Sequence, residues 1–413
     1  MTPRHYQIPS IETLTAVLQR GGAALDGSDT GTGKTYVALE AARRAGRPVF
    51  IVAPKSVLHS WKATAEAVGV SVVWFGNVEK LKRSGWVRRL PGKNRWQWAN
   101  LNGAAVVVDE VHRFSASNSQ NAVILAAAPK PVLMLSATAF ENPLKMRATG
   151  HQLGLTTWND WWTWCGRNGC RRAFFGGLEF KGGQAVLDRL HKQIYTTGRG
   201  VRVRIKDIPN FPKVSYETVF VPVDNQRAID EAYAAELEAK AEESTGAVKF
   251  LRARQLSEHG KISAACEIAE DLLQSGNSVV FFVNFRETLD QIAKQFPDAG
   301  LVYGGQNDRP EQVARFSRDE TRIAASMLQA GGVGLDGLQD LRGEFPRVGL
   351  LFPDCSAVNV RQAFGRLPRD NARSASIYKI LLAEDTVEEE NIAPKLEKKL
   401  HNIDTLNDGD FEP

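Results

Sequence analysis

The chain has 413 residues, 43% hydrophobic and 24% charged, a balance that excludes a disordered polymer and supplies apolar mass for two cores. Lys and Arg number 52 against 47 Asp and Glu, and the resulting net charge of +5 is too small to identify a polyanionic partner by itself. Four cysteines without paired spacing exclude a disulfide framework, and no signal core or run of about 18 apolar residues is present, so a soluble cytoplasmic protein is expected.

In chain order, short continuous apolar runs at 49–53, 106–108 and 132–135 predict strands buried on both faces, each leading into a helical pattern. Similar runs return at 279–283, 301–303, 323–326, 348–352 and 377–381. Strands alternating with helices imply an α/β chain of two doubly wound, parallel-sheet lobes. The region 156–243 is less regular, and Pro209 and Pro212 mark a boundary within it. The expected organisation is a first lobe over 1–208 with basic, Trp-rich insertions. A helical linker over 209–257, a second lobe over 258–400 and an acidic, fraying tail over 401–413 complete it. Cys165 and Cys170 lie near His151 and His191 in sequence, but their spacing is not that of a zinc knuckle.

Three motifs carry chemistry. Gly31-Thr32-Gly33-Lys34-Thr35 opens a helical run. Such a loop turns backbone N–H groups toward phosphate oxygens at a helix N-terminus, where the helix dipole adds positive potential. Lys34 is placed to reach β- and γ-phosphates, and the Thr35 hydroxyl to ligate Mg²⁺. Ser28 stands where the strict pattern has Gly. The second motif, Asp109-Glu110-Val111-His112, directly follows the strand at 106–108. A carboxylate at the end of a buried strand lies at the mouth of an α/β cleft. Asp109 suits Mg²⁺, and Glu110 suits orienting and deprotonating a water. The third, Gln362-Ala363-Phe364-Gly365-Arg366-Leu367-Pro368-Arg369, sets two arginines about one helical turn apart, so that both can point to one face.

These motifs, in this order, resemble the superfamily 2 helicases, and most closely the compact Swi/Snf-type DNA translocases of phages and bacteria. Tyr6 and Gln7 look like the adenine-reading motif. Ala53-Pro54-Lys55-Ser56-Val57 with Trp61 resembles the next motif, which in the family contacts a nucleic-acid strand. Ser136, Ala137 and Thr138, within LSATAFENPL at 135–144, are similar to the motif that couples hydrolysis to movement. Ala330-Gly331-Gly332-Val333-Gly334-Leu335-Asp336 and Asp385-Thr386-Val387-Glu388-Glu389 match later segments. Departures are Asp336 for Asn, Pro368 for His, Asp370-Asn371 for Gly-Gln, and no Trp-Asn-Pro around 356–360.

The resemblance implies two tandem RecA-like lobes and a DNA-stimulated ATPase using ATP and Mg²⁺. It assigns Gln7, Thr30, Gly31, Thr32, Gly33, Lys34, Thr35 and Asp336 to ATP, and Thr35 and Asp109 to Mg²⁺. Lys34, Glu110, Arg366 and Arg369 take catalysis, the arginines reaching across the cleft; Ser136, Ala137, Thr138 and Gln362 take coupling. Lys55, Ser56, Gly331 and Gly332 are expected on nucleic acid. The implied partner is duplex or branched DNA, handled by a monomeric motor in branch migration or fork remodelling. An RNA helicase shares the Asp-Glu-x-His box and is the rival. A non-hydrolysing clamp would be marked by loss of Lys34, Glu110 or an arginine, and all are present.

Between Glu79 and Asp109 there is no acid, while Lys80, Lys82, Arg83, Arg88, Arg89, Lys93 and Arg95 are interleaved with Trp86, Trp96 and Trp98. Two readings stand: a nucleic-acid surface using Lys82, Arg83, Arg88 and Arg89, or an insertion whose tryptophans anchor it to the lobe. The cluster at 158–164, with four tryptophans, reads as core beneath a subdomain. The arginines at 199–206 fit phosphate contact or lobe docking.

Overall fold

The computed structural model describes residues 2–92, 94–173, 177–239, 246–328, 337–353 and 356–408. The chain divides into two units, Met1–Pro209 with Leu400–Pro413, and Asn210–Lys399.

In the first unit the strands are β1 (Ala23–Asp26), β2 (Val49–Val52), β3 (Val72–Gly76), β4 (Val87–Arg89), β5 (Trp96–Trp98), β6 (Ala105–Asp109), β7 (Val132–Leu135), β8 (Cys170–Arg172), β9 (Leu178–Phe180) and β10 (Gly200–Val201). Six of them form one parallel sheet in the order β10-β1-β7-β6-β2-β3. Successive strand residues face opposite layers. Leu25, Phe50, Val52, Val106, Val108, Val132 and Met134 enter one core. Ala24, Val49, Ile51, Ala105, Val107, Leu133 and Leu135 enter the other. Helices cover both faces, which is why these strands read as continuous apolar runs. Each of the larger of these side chains, Val, Leu, Ile, Phe or Met, contributes roughly 1.5–3 kcal/mol when fully buried.

Two antiparallel hairpins, β4 with β5 and β8 with β9, stand apart from this sheet. The second belongs to a small core in which Trp161, Cys165 and Cys170 are buried and Trp164, Leu178 and Phe180 pack against them. The guanidinium of Arg147 lies 3.9 Å from the Trp158 ring centre and 5.1 Å from that of Trp161. Three of the four tryptophans are thus packing groups, and Trp162 is exposed. Hydrogen bonding to Cys170, together with burial, pushes the Cys165 thiol pKa up. Among the described residues no group of three or more His, Cys, Asp or Glu is placed to hold a metal ion.

The second unit has its own parallel sheet, β11 (Val214–Val221), β12 (Ser278–Val283), β13 (Gly300–Val302), β14 (Ile323–Met327), β15 (Arg347–Leu351) and β16 (Ser376–Ala383), in the order β11-β16-β15-β12-β14-β13. The expected linker at 209–257 is therefore corrected. It contributes the edge strand β11, paired with β16 along its whole length, and the helices Gln226–Ala239 and Gly246–Gly260. The tail is corrected too, since the helix Ala393–Asp408 runs through most of it. No helix among the described residues is long and apolar enough to cross a membrane.

Candidate active site

The carboxyl ends of β1, β7 and β6 lie side by side in the first sheet and carry, in turn, the glycine loop, Ser136 and the Asp109-Glu110 pair. This is where open α/β sheets bind ligands.

After β1 the chain turns through Gly31 and Gly33, at φ 92° and 85°, a left-handed backbone that glycine adopts without penalty. A Cβ at Gly33 would also lie 2.5 Å from Gln7 Nε2, so a larger residue there would have to displace the Gln7 amide. Gln7 is buried, donates from Nε2 to Thr32 O at 2.8 Å and accepts from Arg4 N at 3.0 Å. The first turn of helix Lys34–Arg44 contains no acid, which leaves its positive end open to an anion.

Ser28, the departure from the glycine pattern, is buried, and its Oγ accepts from Val203 N at 3.0 Å. It belongs to a clasp between the loop and the segment following β10. Asp29 N donates to Val203 O at 2.9 Å, and the Asp29 carboxylate accepts from Ile205 N and from Arg202 Nη2, each at 2.8 Å. Arg202 also donates to Gly27 O. Arg202 thus braces the loop from behind.

Lys34 donates from Nζ to Ser28 O at 2.7 Å and Asp29 O at 3.0 Å. Desolvation pulls its pKa down, against the opposing pull of Asp26, Glu110, Asp109 and Asp29. Asp26 accepts from Ser28 N at 2.9 Å through Oδ1, while its buried Oδ2 has no hydrogen-bond partner among the described residues. Burial pushes this carboxyl up, and Lys34 draws it back. The ammonium therefore sits among carbonyl and carboxylate oxygens.

Asp109 closes β6. Its Oδ2 accepts from Trp61 Nε1 at 2.9 Å and its Oδ1 from Glu110 N at 2.9 Å. Burial, then the neighbouring Glu110, push its pKa up to about 6, and Trp61 and Lys34 oppose them. Trp61, grouped by sequence with the motif at 53–57, is buried and orients the Asp109 carboxylate. Partners that fix a ligating group commonly affect metal affinity or turnover 10–100-fold, and Trp61→Phe is expected to raise the Mg²⁺ needed for half-maximal ATPase by about that factor. A Mg²⁺ titration of the variant checks this, and an unchanged midpoint would remove Trp61 from the site.

Glu110 holds a left-handed backbone, φ 51° and ψ 52°, unusual for a residue with a Cβ and common where function over-determines the chain. His112 Nδ1 lies 3.2 Å from Glu110 Oε2 and 3.0 Å from Ser136 Oγ, and that oxygen accepts from Thr138 N at 3.1 Å. Ser136 N in turn donates to Asp26 O at 3.1 Å. A polar chain thus runs from Glu110 through His112 to Ser136 and Thr138, with half-buried Ala137 between them. The Thr138 hydroxyl is buried with no hydrogen-bond partner among the described residues.

The structure thus gathers Gln7, the loop from Thr30 to Thr35, Asp109, Glu110 and the Ser136-Ala137-Thr138 segment in one unit. Gln362, Arg366 and Arg369 belong to the other, where all three are buried. Their predicted helical spacing is corrected: the helix Ala357–Phe364 contains Gln362 but stops at Gly365, so both arginines sit on irregular chain. Leu367 N donates to the Tyr378 hydroxyl at 3.0 Å, which donates to Ala363 O at 2.6 Å and fixes this turn on β16. Gly331, Gly332 and Asp336 lie outside the described residues. Lys55 and Ser56 are exposed on a short turn after β2, Lys82 pairs with Glu79 at 2.9 Å, and Arg83, Arg88 and Arg89 are exposed. Sequence reasoning missed Asp26 as a site residue, and left Arg202 open in a basic run.

No family model matches the sequence. A protein of Acanthamoeba polyphaga mimivirus that bears the name of an ATP-dependent RNA helicase is 30% identical over 463 aligned residues, covering 98% of this chain and 84% of that protein. Among solved structures, the chain is similar to the Sulfolobus solfataricus SWI2/SNF2 ATPase core in complex with dsDNA, at 15% identity and a TM-score of 0.40, covering 99% of this chain and 94% of that one. It is also similar to S. cerevisiae Dbp5 bound to RNA and ADP BeF3, at 10% identity and a TM-score of 0.49, covering 97% and 92%.

The chain belongs to the superfamily 2 helicases. It is an ATP-hydrolysing enzyme with two RecA-like lobes in sequence.

Proposed function

We propose that the chain is a Mg²⁺-dependent ATPase that moves along DNA, duplex or branched. The observation that carries the nucleotide chemistry is the gathering of Lys34, Asp109 and Glu110 beyond the ends of β1 and β6, which flank β7, beside a glycine loop. The residues fit nucleotide phosphate: Lys34 rests on carbonyl oxygens that phosphate oxygens can replace, at the open N-terminus of a helix whose first turn has no acid. Thr35 and Asp109 offer oxygen donors only, as a hard cation requires, and Mg²⁺ ordinarily takes one or two carboxylates plus substrate phosphates and water. Bound Mg²⁺ would neutralise phosphate charge.

The remaining work falls to side chains. In this reading Lys34 and the loop N–H groups hold the β- and γ-phosphates, and Gln7 sits against the adenine. Glu110 orients a water and takes its proton, and Arg366 and Arg369 neutralise charge on the transferring phosphoryl group. The chain from Glu110 through His112 to Ser136 and Thr138 supplies a route by which the nucleotide state reaches the coupling segment.

Support for DNA comes from the resemblance of 141–144 and 386–389 to the Swi/Snf-type continuation. Both segments have structural work: Asn142 Oδ1 accepts from Leu144 N at 3.0 Å, and Glu388 lies in a buried ion pair with Lys261 at 2.6 Å. A second reading, an RNA helicase, is favoured by the name of the mimivirus relative. The test is ATPase stimulation by single-stranded RNA, duplex RNA, single-stranded DNA, duplex DNA and a branched DNA junction. Largest stimulation by duplex or branched DNA is expected, and stimulation by RNA alone would overturn the DNA assignment.

A further inference from the structure

We propose that the β4–β5 insertion is a phosphate-tracking surface for nucleic acid, making contacts that carry no sequence preference; this rests on the reading of the chain as a nucleic-acid motor. Its first support is the distribution of charge. Residues 80–98 hold seven Lys and Arg and no acid, while the whole chain has 52 against 47, so the remainder is acidic by two. Lys80, Lys82 and Arg83 belong to the end of the helix Val78–Lys82, where Lys82 pairs with Glu79, and the hairpin segment 87–98 carries the other four, Arg88, Arg89, Lys93 and Arg95, with no acid among them.

The second support is how the insertion is built. Paired aromatic and basic residues would suggest a platform on which bases stack, but the tryptophans are withdrawn. Trp86 and Trp98 meet Phe50 edge-on, with ring centres 5.5 Å apart in each case, and Trp86, Trp96 and Trp98 all pack against the buried core. Trp98 Nε1 donates to Ile124 O at 2.9 Å and Trp96 Nε1 to Asn94 Oδ1 at 3.2 Å. Asn94 Nδ2 donates to Asn118 O at 3.1 Å, tying the turn of the hairpin to the body of the unit. The rings, each half-buried against the lobe, therefore serve as anchors.

What remains outward is cationic. Lys80, Arg83, Arg88, Arg89 and Arg95 are exposed. Arg88 is steadied by Gln97 across the hairpin, donating from Nε at 3.0 Å and Nη2 at 2.7 Å to its Oε1, a neutral partner that leaves the charge uncompensated. Such a surface suits phosphodiester oxygens: guanidinium groups bind them through paired N–H donors and gain counterion release. Base reading would need groove-directed or stacking groups, and the hairpin uses its rings to seat itself on the core instead.

The test is the triple variant Arg88→Gln, Arg89→Gln, Arg95→Gln in the full chain. Its affinity is measured across a salt series for mixed-sequence duplex and single-stranded DNA and RNA. Loss of three phosphate contacts should make the slope of log affinity against log salt about two to three units shallower, equally for every sequence. Binding at low salt should weaken about tenfold or more. ATP turnover without nucleic acid, tryptophan emission and thermal midpoint should stay as in the parent, which shows that the hairpin remains seated. An unchanged slope, a loss restricted to certain sequences, or an equal loss on vesicles of anionic lipid would each overturn the proposal. If the parent protein itself binds no polynucleotide, the motor reading has failed rather than the hairpin alone.

Discussion

Glu110→Gln binds ATP with near-parental affinity and hydrolyses it at least about 100-fold more slowly, with nucleic acid present or absent. The amide keeps the size of the side chain and removes its basicity, while Lys34 and the glycine loop remain to hold phosphate. Geometry singles out this carboxylate. It follows Asp109 at the end of β6, and one of its oxygens lies 3.2 Å from His112 Nδ1. Its own backbone is left-handed at φ 51°, a conformation that costs a residue with a Cβ about 1–3 kcal/mol.

Glu110→Gly separates strain from chemistry. Glycine relieves the backbone and deletes the carboxylate, so the thermal midpoint should hold or rise while turnover falls as far as in Glu110→Gln. Single-turnover hydrolysis with a fluorescent nucleotide titration measures both variants. Turnover within a few fold of the parent in Glu110→Gln would remove the residue from catalysis, and loss of nucleotide binding would make its role structural.

Much of this site was legible because its strands are buried on both faces. Continuous apolar runs marked β2, β6 and β7, and the motifs sat at or beside strand ends. β11 escaped for the converse reason. As an edge strand with Ser215, Tyr216, Glu217 and Thr218 exposed, it has no continuous apolar run, and two nearby prolines made it read as linker. β1 escaped because two alanines and a leucine form too weak a run.

The site's supporting groups were hidden differently. Ser28 looked like an error in a glycine pattern, and only the position of Val203 shows that its hydroxyl has a partner. Nothing in sequence spacing brings Arg202 to Asp29, which are 173 positions apart, or Trp61 to Asp109, which are 48 apart. The two arginines after Gln362 were read on a helix because their spacing permits it. Gly365 and Pro368 end that helix instead, since glycine favours termination and proline cannot supply the next N–H.

Lys261→Met should destabilise the second unit by about 3–5 kcal/mol, the cost of leaving a buried carboxylate without its counter-ion. Lys261 is 1% and Glu388 4% exposed, and their Nζ and Oε2 are 2.6 Å apart. Burial would push the Glu388 carboxyl up, but Lys261, Ser257 and Ala383 N outweigh it and hold the pKa below its ordinary value of 4.5. A depressed carboxylate stabilises the fold above that ordinary value, and the contribution is lost as pH falls through the lower folded value. Removing Lys261 reverses the sign, because the stranded carboxylate then prefers its proton. The deficit of the variant should be greatest near neutrality and shrink toward pH of about 4. All nine tryptophans lie between positions 61 and 164, inside the first unit, so their emission reports that unit alone. Urea unfolding followed by far-UV circular dichroism should therefore show an early transition in Lys261→Met that tryptophan emission does not follow. Replacing both partners, Lys261→Met with Glu388→Leu, should recover most of the loss, since two apolar groups bury without a desolvation penalty. A single variant as stable as the parent at neutral pH, or a deficit that grows on acidification, would mean that Glu388 is held by Ser257 and the backbone alone.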